Sequence, residues 1–368
     1  MTELTFYGGV TEIGGNKILL EDQDTKIFLD FGMSFNQSGM YFSEFLMPRN
    51  CNGLGDYFET GLLPDLKGVY REDYLRHMGR PKEDQEIDAV LISHAHMDHM
   101  SYVHHLRKEI ELVMSPGSHA IMQTFQETRA GGQNDLLIQS PAFQIRPSKR
   151  GDSVTKVTKR DGYDTRPLNI FEYGKTFKVG DLEVIAYEVD HSLPGATAYL
   201  IHTSEGSILY TGDYRFHGYL GDKTREMIEQ VSKEDVSTVI TEGTRITTET
   251  GTTETEVYTH AKRLAENTNG LVVATFPVRD LTRLTTFYKI AKEVGRKLVI
   301  DFNQAYLLEQ YRKFSDRYPG SDDPNICLYA SRKSWGLAGR TNVPSNISGL
   351  NYPEKVVDQD YATWQREY

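Results

Sequence analysis

The most constraining feature of this sequence is a group of four metal-binding side-chain types within six residues, directly after an apolar segment. The segment covers residues 87–92, and the four side chains are His94, His96, Asp98 and His99. The segment predicts a buried strand, with the chain bending into a helix near Asp98. Imidazoles and carboxylates suit Zn²⁺ and similar ions, and mixing them leaves coordination positions open for water. A lone histidine is usually a core or surface residue, whereas this spacing predicts a metal site.

Two later segments offer residues that complete a site for two metal ions. His191 and Asp213 each follow a predicted strand. A carboxylate such as Asp213 can bridge two cations because it has two oxygens and a negative charge. Taken singly, His191 is an ordinary loop residue and Asp213 a turn residue after Gly212. Together with the residues around His94, they predict a dinuclear centre.

The first two-thirds of the chain alternates strand and helix patterns, which predicts a layered α/β architecture. Strands are predicted at 4–7, 17–20, 26–29, 87–92, 112–114, 182–189, 197–203, 207–211 and 238–241, and helices at 99–109, 118–128 and 223–230. Residues 32–86 lack a steady period and predict a long irregular insertion with short helices.

The pattern becomes more regular after a Thr-rich connection, so we place a domain boundary near residue 245, between domains 1–245 and 246–368. The second part predicts helices at 254–267, 280–293 and 304–314 and strands at 271–276 and 297–301. Helices alternating with strands in this way predict parallel βαβ units.

The formal net charge of −11 argues against a generally basic nucleic-acid-binding surface. Residues 145–166 reverse the trend with seven Lys and Arg against three Asp. We interpret this basic loop as a solvated surface loop, with contact to phosphates as the alternative. No apolar run reaches membrane-span length, no secretory signal is visible, and Cys51 and Cys327 lack metal-site spacing. These features predict a cytoplasmic protein without a membrane partner.

Five segments resemble the motifs of the metallo-β-lactamase superfamily. They are Gly8-Gly9 with residues 14–16, Asp30, residues 94–99, residues 190–196 and residues 211–215. Residues 190–196 and 241–245 further resemble the β-CASP nucleases, most closely the RNase J-like group. The resemblance covers most of the chain and implies an αββα sandwich that carries a parallel-sheet β-CASP domain.

The resemblance also implies roles for individual residues. One metal takes His94, His96 and His191, the other takes Asp98 and His99, and Asp213 binds both; Asp30 supports these ligands and Glu242 assists proton transfer. The ions are two Zn²⁺, with Mn²⁺ as the alternative. The implied reaction is phosphodiester hydrolysis in RNA, or in single-stranded DNA, by a hydroxide held between the metals.

One departure from the family pattern concerns two further histidines that the family supplies after the β-CASP domain. This sequence has no histidine after His260, which lies in a predicted helix and is interpreted as a surface residue. We therefore expect either a longer native chain or a partner chain, including a second copy, that supplies the missing elements.

Four residues are weaker candidates for contact with the substrate: Ser192, Arg245, Arg279 and Arg283. The two later arginines open a predicted helix, where backbone amides and guanidinium groups can meet a phosphate. Capping of a surface helix explains Arg279 and Arg283 equally well. For Glu242 and Arg245, the alternative to a role at the site is a salt bridge between the two side chains.

Two other functions remain open from the sequence. The same metals could hydrolyse a small ester, thioester or lactone. A non-catalytic subunit of an RNA-processing complex would explain the absent late histidines but not the complete run at 94–99.

Overall fold

The computed structural model describes residues 1–43, 46–49, 52–128, 135–157, 162–247 and 251–329. Its centre is a pair of β-sheets packed face to face. Apolar side chains of both sheets, such as Leu20 and Ile27 from one and Val184 and Ile201 from the other, share a single buried cluster. Helices cover the two outer faces, so the predicted four-layer α/β sandwich is confirmed.

The first sheet has six strands in the order β1-β2-β3-β4-β5-β10. Its strands are β1 (Thr2–Phe6), β2 (Ile18–Asp22), β3 (Thr25–Leu29), β4 (Ala89–Leu91), β5 (Glu111–Met114) and β10 (Leu168–Ile170). β1, β2 and β3 are antiparallel neighbours, whereas β4, β5 and β10 continue the sheet in parallel. Because side chains alternate along a strand, Leu20 faces the second sheet while Leu19 faces the outer helices.

The second sheet has five strands in the order β11-β12-β13-β14-β15. They are β11 (Thr176–Val179), β12 (Leu182–Glu188), β13 (Thr197–Thr203), β14 (Gly206–Tyr210) and β15 (Val236–Ile240). Only β14 and β15 pair in parallel, since α6 (Gly221–Val231) connects them. Met227 and Val231 of α6 pack with Val189 and Leu200 on the outer face of this sheet.

The remaining helices frame the first sheet and form the second part of the chain. They are α1 (Phe35–Tyr41), α2 (Gly55–Glu59), α3 (Glu72–His77), α4 (Met97–Met100), α5 (Pro116–Thr128), α7 (Glu254–Glu266), α8 (Leu281–Glu293) and α9 (Phe302–Arg312). Short strand pairs are β6 (Ile138–Gln139) with β9 (Asp164–Thr165), β7 (Gln144–Pro147) with β8 (Val154–Val157), and β16 (Leu298–Asp301) with β17 (Ile326–Tyr329). The three short helices within 32–86 match the predicted insertion.

The helix predicted at 99–109 is present only as far as His105 and only partly as an α-helix. The α-helix ends at Met100, and a 3-10 helix over Ser101–His105 follows it. Leu106 is extended and forms a bridge with Tyr70, while its carbonyl accepts hydrogen bonds from the side chains of Gln139 and Arg166. These long-range contacts draw the chain out of the helical path that its local pattern favours.

The strand predicted at 271–276 is wrong. This apolar segment has no regular secondary structure and lies at the surface, where Leu271 is 86% exposed. A strand needs a partner for its backbone groups. Strand β16 pairs with β17 and not with residues 271–276, and β17 itself was not predicted from the sequence pattern. The other predicted elements of this part are present as α7, α8, β16 and α9.

The basic loop predicted at 145–166 contains the β7–β8 hairpin in its described residues. Arg146, Lys149 and Arg150 are exposed on it, in line with a solvated loop. Lys156 instead lies over the rings of Tyr74 and Phe143. Arg166 is buried and donates to the carbonyls of 103, 106 and 107, so it has a structural role.

The described helices include none with the length and apolar character required to cross a membrane.

Candidate metal centre

Strand β4 carries the chain into the group of metal-binding side chains, as the sequence predicted. His94 is fully buried just beyond the strand, and α4 begins directly after His96. Asp98 and His99 therefore lie in the first turn of that helix. Gly14 packs against them with φ +81°, and a Cβ there would lie 2.5 Å from Cβ of Asp98. Only glycine combines this backbone conformation with so close an approach.

Four of the predicted ligands converge to form one group. His94, His96, His191 and Asp213 each offer one ligand atom, and these atoms all lie within 4.8 Å of one another. His96 Nδ1 is 2.8 Å from His94 Nε2 and 3.1 Å from His191 Nε2. Asp213 Oδ2 is 3.8 Å from His94 Nε2 and 3.7 Å from His191 Nε2.

The group fits a metal ion on chemical grounds. Ligand atoms about 2.0–2.2 Å from a tetrahedral ion lie roughly 3.3–3.6 Å apart, in the middle of the observed range. Burial lowers the pKa of His96 to about 3 and that of His191 to about 4, so these imidazoles are neutral at pH 7. A neutral imidazole has one ring nitrogen with a free lone pair, which can bind a cation. A cation among the three rings would accept one lone pair from each of them.

The remaining predicted ligands lie beside this group. His99 Nε2 is 3.8 Å from Asp98 Oδ2 and 3.5 Å from Asp213 Oδ1. Asp213 thus directs Oδ2 toward His94 and His191 and Oδ1 toward His99, as a bridging carboxylate requires. Burial tends to raise the pKa of Asp213, but the neighbouring imidazoles, His99 foremost, lower it to about 2. The carboxylate is therefore ionised at neutral pH.

Asp30 orients His99 from behind. Its Oδ2 lies 2.6 Å from His99 Nδ1 and accepts hydrogen bonds from Ser93 Oγ and Tyr210 OH, while Oδ1 accepts from the Ser93 amide. With Nδ1 occupied in this way, Nε2 of His99 points toward Asp98 and Asp213. Ser93 and Tyr210 were not predicted to have a role, although each stands immediately before a predicted metal motif.

A cleft of about 870 Å³ opens on the side of the site where Asp98 and His99 lie. Asp98, His99, Asp213 and Glu242 line it together with the loop at residues 9–14. Glu242 Oε1 accepts a hydrogen bond from the Tyr214 amide at 3.1 Å, which fixes its carboxylate near Asp213. No ion pair joins Glu242 to Arg245 among the described residues, and Arg245 is exposed.

The four predicted substrate contacts differ in their surroundings. Ser192 Oγ lies 3.4 Å from His96 Nε2. Arg279 lies with its guanidinium 3.5 Å from the centre of the Phe125 ring, without a carboxylate partner in the described part of the chain. Burial lowers the pKa of Arg279 to about 10, so it remains a cation. Arg283 instead pairs with buried Glu254 at 2.9 and 3.1 Å.

Residues 63–261 match the family model described as "Beta-lactamase superfamily domain". Among curated proteins, Ribonuclease J of Pyrococcus abyssi is 24% identical over 314 residues, which cover 81% of this chain and 58% of that protein. Ribonuclease J of Methanocaldococcus jannaschii is 24% identical over 311 residues, covering 81% of this chain and 59% of the relative. The chain therefore spans less than two-thirds of the length of these relatives.

A solved structure has the same fold over most of the chain. It is a crystal structure of a protein of unknown function from Enterococcus faecalis V583, with a TM-score of 0.66 and 25% sequence identity. The match covers 89% of this chain and 73% of that one.

Proposed function

This chain belongs to the β-lactamase superfamily, and from that premise we propose that it is a two-metal phosphodiester hydrolase that cuts RNA. The observation that carries the proposal is the convergence of His94, His96, His191 and Asp213 within 4.8 Å. The Ribonuclease J relatives support RNA as the substrate class.

We propose that His94, His96 and His191 hold the first ion, that Asp98 and His99 hold the second, and that Asp213 contacts both. Zn²⁺ is the expected metal, with Mn²⁺ as the alternative. Such ions, when bound, lower the pKa of water and neutralise charge on a phosphodiester. Asp30 would keep His99 in the orientation that binding requires.

The charge of the cleft supports this assignment. Among the described residues, its lining includes four acidic side chains, Glu12, Asp98, Asp213 and Glu242, and no Lys or Arg. A phosphodiester anion would be repelled by these carboxylates in the absence of cations. Two divalent ions supply four positive charges, which balance the four carboxylates and make the cleft accessible to a nucleic-acid backbone.

The chain's own groups would handle positioning and proton transfer. Glu242 is held near Asp213 by the Tyr214 amide, so it can accept or return a proton at the cleft edge. Arg279 has no carboxylate partner in the described part of the chain, and its charge lowers the pKa of His96 after the larger effects of burial, His191 and His99. A desolvated, unpaired guanidinium of this kind binds phosphate oxygens well.

The test is cleavage of end-labelled single-stranded RNA by protein loaded with Zn²⁺ or Mn²⁺. We expect His96→Ala to lose the first ion and to lower the cleavage rate by more than about 100-fold, beyond the cost of losing an outer-shell partner. EDTA should abolish cleavage by the wild-type protein. His260→Ala is the matched control, because His260 is exposed on α7.

Parallel assays with single-stranded DNA and with a γ-lactone identify the substrate class. RNA cleavage that resists EDTA or survives His96→Ala would contradict the proposal. So would a lactone turned over faster than RNA, or the absence of RNA cleavage by protein that has bound both ions.

A further inference from the structure

Asn16 lies beside Asp98 and His99, the proposed ligands of the second metal ion, although the proposal above gives Asn16 no metal-binding role. Its amide donates to the carbonyl of Asp98 at 3.1 Å, and its own carbonyl accepts from the amide of Gly32 at 3.0 Å. These two backbone hydrogen bonds fix the residue against α4. Its side chain lines the same cleft as Asp98, His99 and Asp213.

The side-chain amide of Asn16 reaches the atom through which His99 would bind a metal. Asn16 Nδ2 is 3.1 Å from His99 Nε2, closer than the carboxylate oxygens of Asp213 at 3.5 Å and Asp98 at 3.8 Å. These distances lie in the range expected for atoms that share one ion. Four side chains from three parts of the chain therefore surround one position.

The lone pair on Nε2 of His99 decides whether the nitrogen or the oxygen of the Asn16 side-chain amide faces the metal position. Once Nε2 of His99 binds a metal, its lone pair can no longer accept a hydrogen bond from an Asn NH₂ group. Rotation by half a turn about the Cβ–Cγ bond of Asn16 exchanges the amide nitrogen and oxygen, which have nearly the same shape. The carbonyl oxygen then faces the metal position, and amide oxygens are good ligands for cations that prefer oxygen.

Gly9 leaves room for the amide in either orientation. Its φ is +84°, and a Cβ there would lie 2.4 Å from Asn16 Oδ1. Within the described residues, the contact with His99 is the only side-chain hydrogen bond of Asn16. Rotation of the amide therefore breaks no other side-chain hydrogen bond there.

We propose that Asn16 is a ligand of the second metal ion through its side-chain carbonyl oxygen. The proposal rests on the two-metal function proposed above. It gives the second position one imidazole and three oxygen ligands, whereas the first position has three imidazoles and one carboxylate. The first position should therefore prefer Zn²⁺, and the second should accept the more oxygen-preferring Mn²⁺.

The experiment measures metal binding directly. Metal-free protein receives one equivalent of Zn²⁺ and is then titrated with Mn²⁺, with bound metal counted by mass spectrometry and free Mn²⁺ by electron paramagnetic resonance. We expect Asn16→Ala to keep the Zn²⁺ and to bind Mn²⁺ at least about tenfold more weakly. Asn16→Asp retains an oxygen in the same place and should bind Mn²⁺ as tightly as the wild type or more tightly.

Asn36→Ala is the matched control, because Asn36 lines the same cleft without a contact to His99. It should bind both ions as the wild type does. Unchanged Mn²⁺ affinity in Asn16→Ala would overturn the proposal, and equal loss in Asn16→Ala and Asn16→Asp would assign Asn16 to loop structure instead. Failure of the wild type to bind even the first ion would count against the proposed function itself.

Discussion

Asp30 is a buried carboxylate that orients His99, a proposed ligand of the second metal ion. It is completely buried, with a left-handed backbone conformation (φ +59°) that is uncommon outside glycine, and its two oxygens face four donor groups. The family resemblance alone predicts a supporting role for Asp30. The donors are Ser93, His99 and Tyr210, which come from two separate segments of the chain.

Asp30→Asn should weaken binding of the second ion by about 10–100-fold, the usual cost of removing an outer-shell partner. The NH₂ group of asparagine would face donors that need an acceptor, so the free energy of unfolding should also fall by about 1–3 kcal/mol. Calorimetric titration and urea denaturation measure the two effects. Asp88→Asn is the control, since Asp88 is exposed and its side chain accepts a hydrogen bond from the Lys26 amide of β3. An Asp30→Asn protein with normal second-ion affinity would refute this role.

At the scale of secondary-structure elements, the two arginines of the α8 segment have opposite roles that their spacing did not distinguish. Arg283 lies in the first turn of α8 and joins it to α7 by pairing with Glu254, whose side chain is 5% exposed. Arg279 precedes the helix and has no such partner in the described part of the chain. Both were predicted as phosphate contacts, and of the two only Arg283 is paired with a carboxylate in the described part of the chain.

Arg283→Met should lower the free energy of unfolding by about 3 kcal/mol, because it leaves a buried carboxylate without its cation. The KM for RNA should change little. Arg279→Met should do the reverse, raising KM about tenfold or more through loss of a charged hydrogen bond while stability changes less. Denaturant titration and steady-state kinetics on both variants separate the roles, and a larger KM effect for Arg283→Met would contradict them.

Strands were predicted correctly where an apolar run in the sequence is also buried in the folded protein. The strands that lead to His94 and Asp213 combine apolar runs with burial between two sheets, so the pattern was sufficient. The segment at 271–276 has equally strong strand character but no partner strand in the described residues. Pairing depends on what another part of the chain presents, and a local pattern carries no information about it.

At the scale of the whole molecule, the second part of the chain packs directly onto the first. Leu307 and Leu308 of α9 belong to the same buried cluster as Ile121 and Phe125 of α5. The boundary predicted near residue 245 stays a prediction, but a shared core of this kind couples the stability of the two parts.

Leu307→Ala should lower the free energy of unfolding by about 2–5 kcal/mol, because Leu307 is 1% exposed and the space it leaves is enclosed. Hydrogen exchange should show the loss both in α9 and in the sheet strands β12 to β14. Leu264→Ala, at a residue that is 64% exposed on α7, should change stability by less than about 0.5 kcal/mol. A loss confined to α8 and α9 would mean that the two parts unfold independently.

Four side chains of the candidate metal centre were predictable from the sequence, because they occur within six residues and local spacing limits where they can point. The sequence by itself also determined the α/β class, since strand and helix periodicities are local properties. Only the tertiary structure brought His191 and Asp213 to the group around His94, because their distance depends on how two sheets pack across more than ninety residues. The tertiary structure likewise placed Asn16 beside His99 and separated Arg279 from Arg283, since a side chain's partners are set by packing and not by its neighbours in the chain.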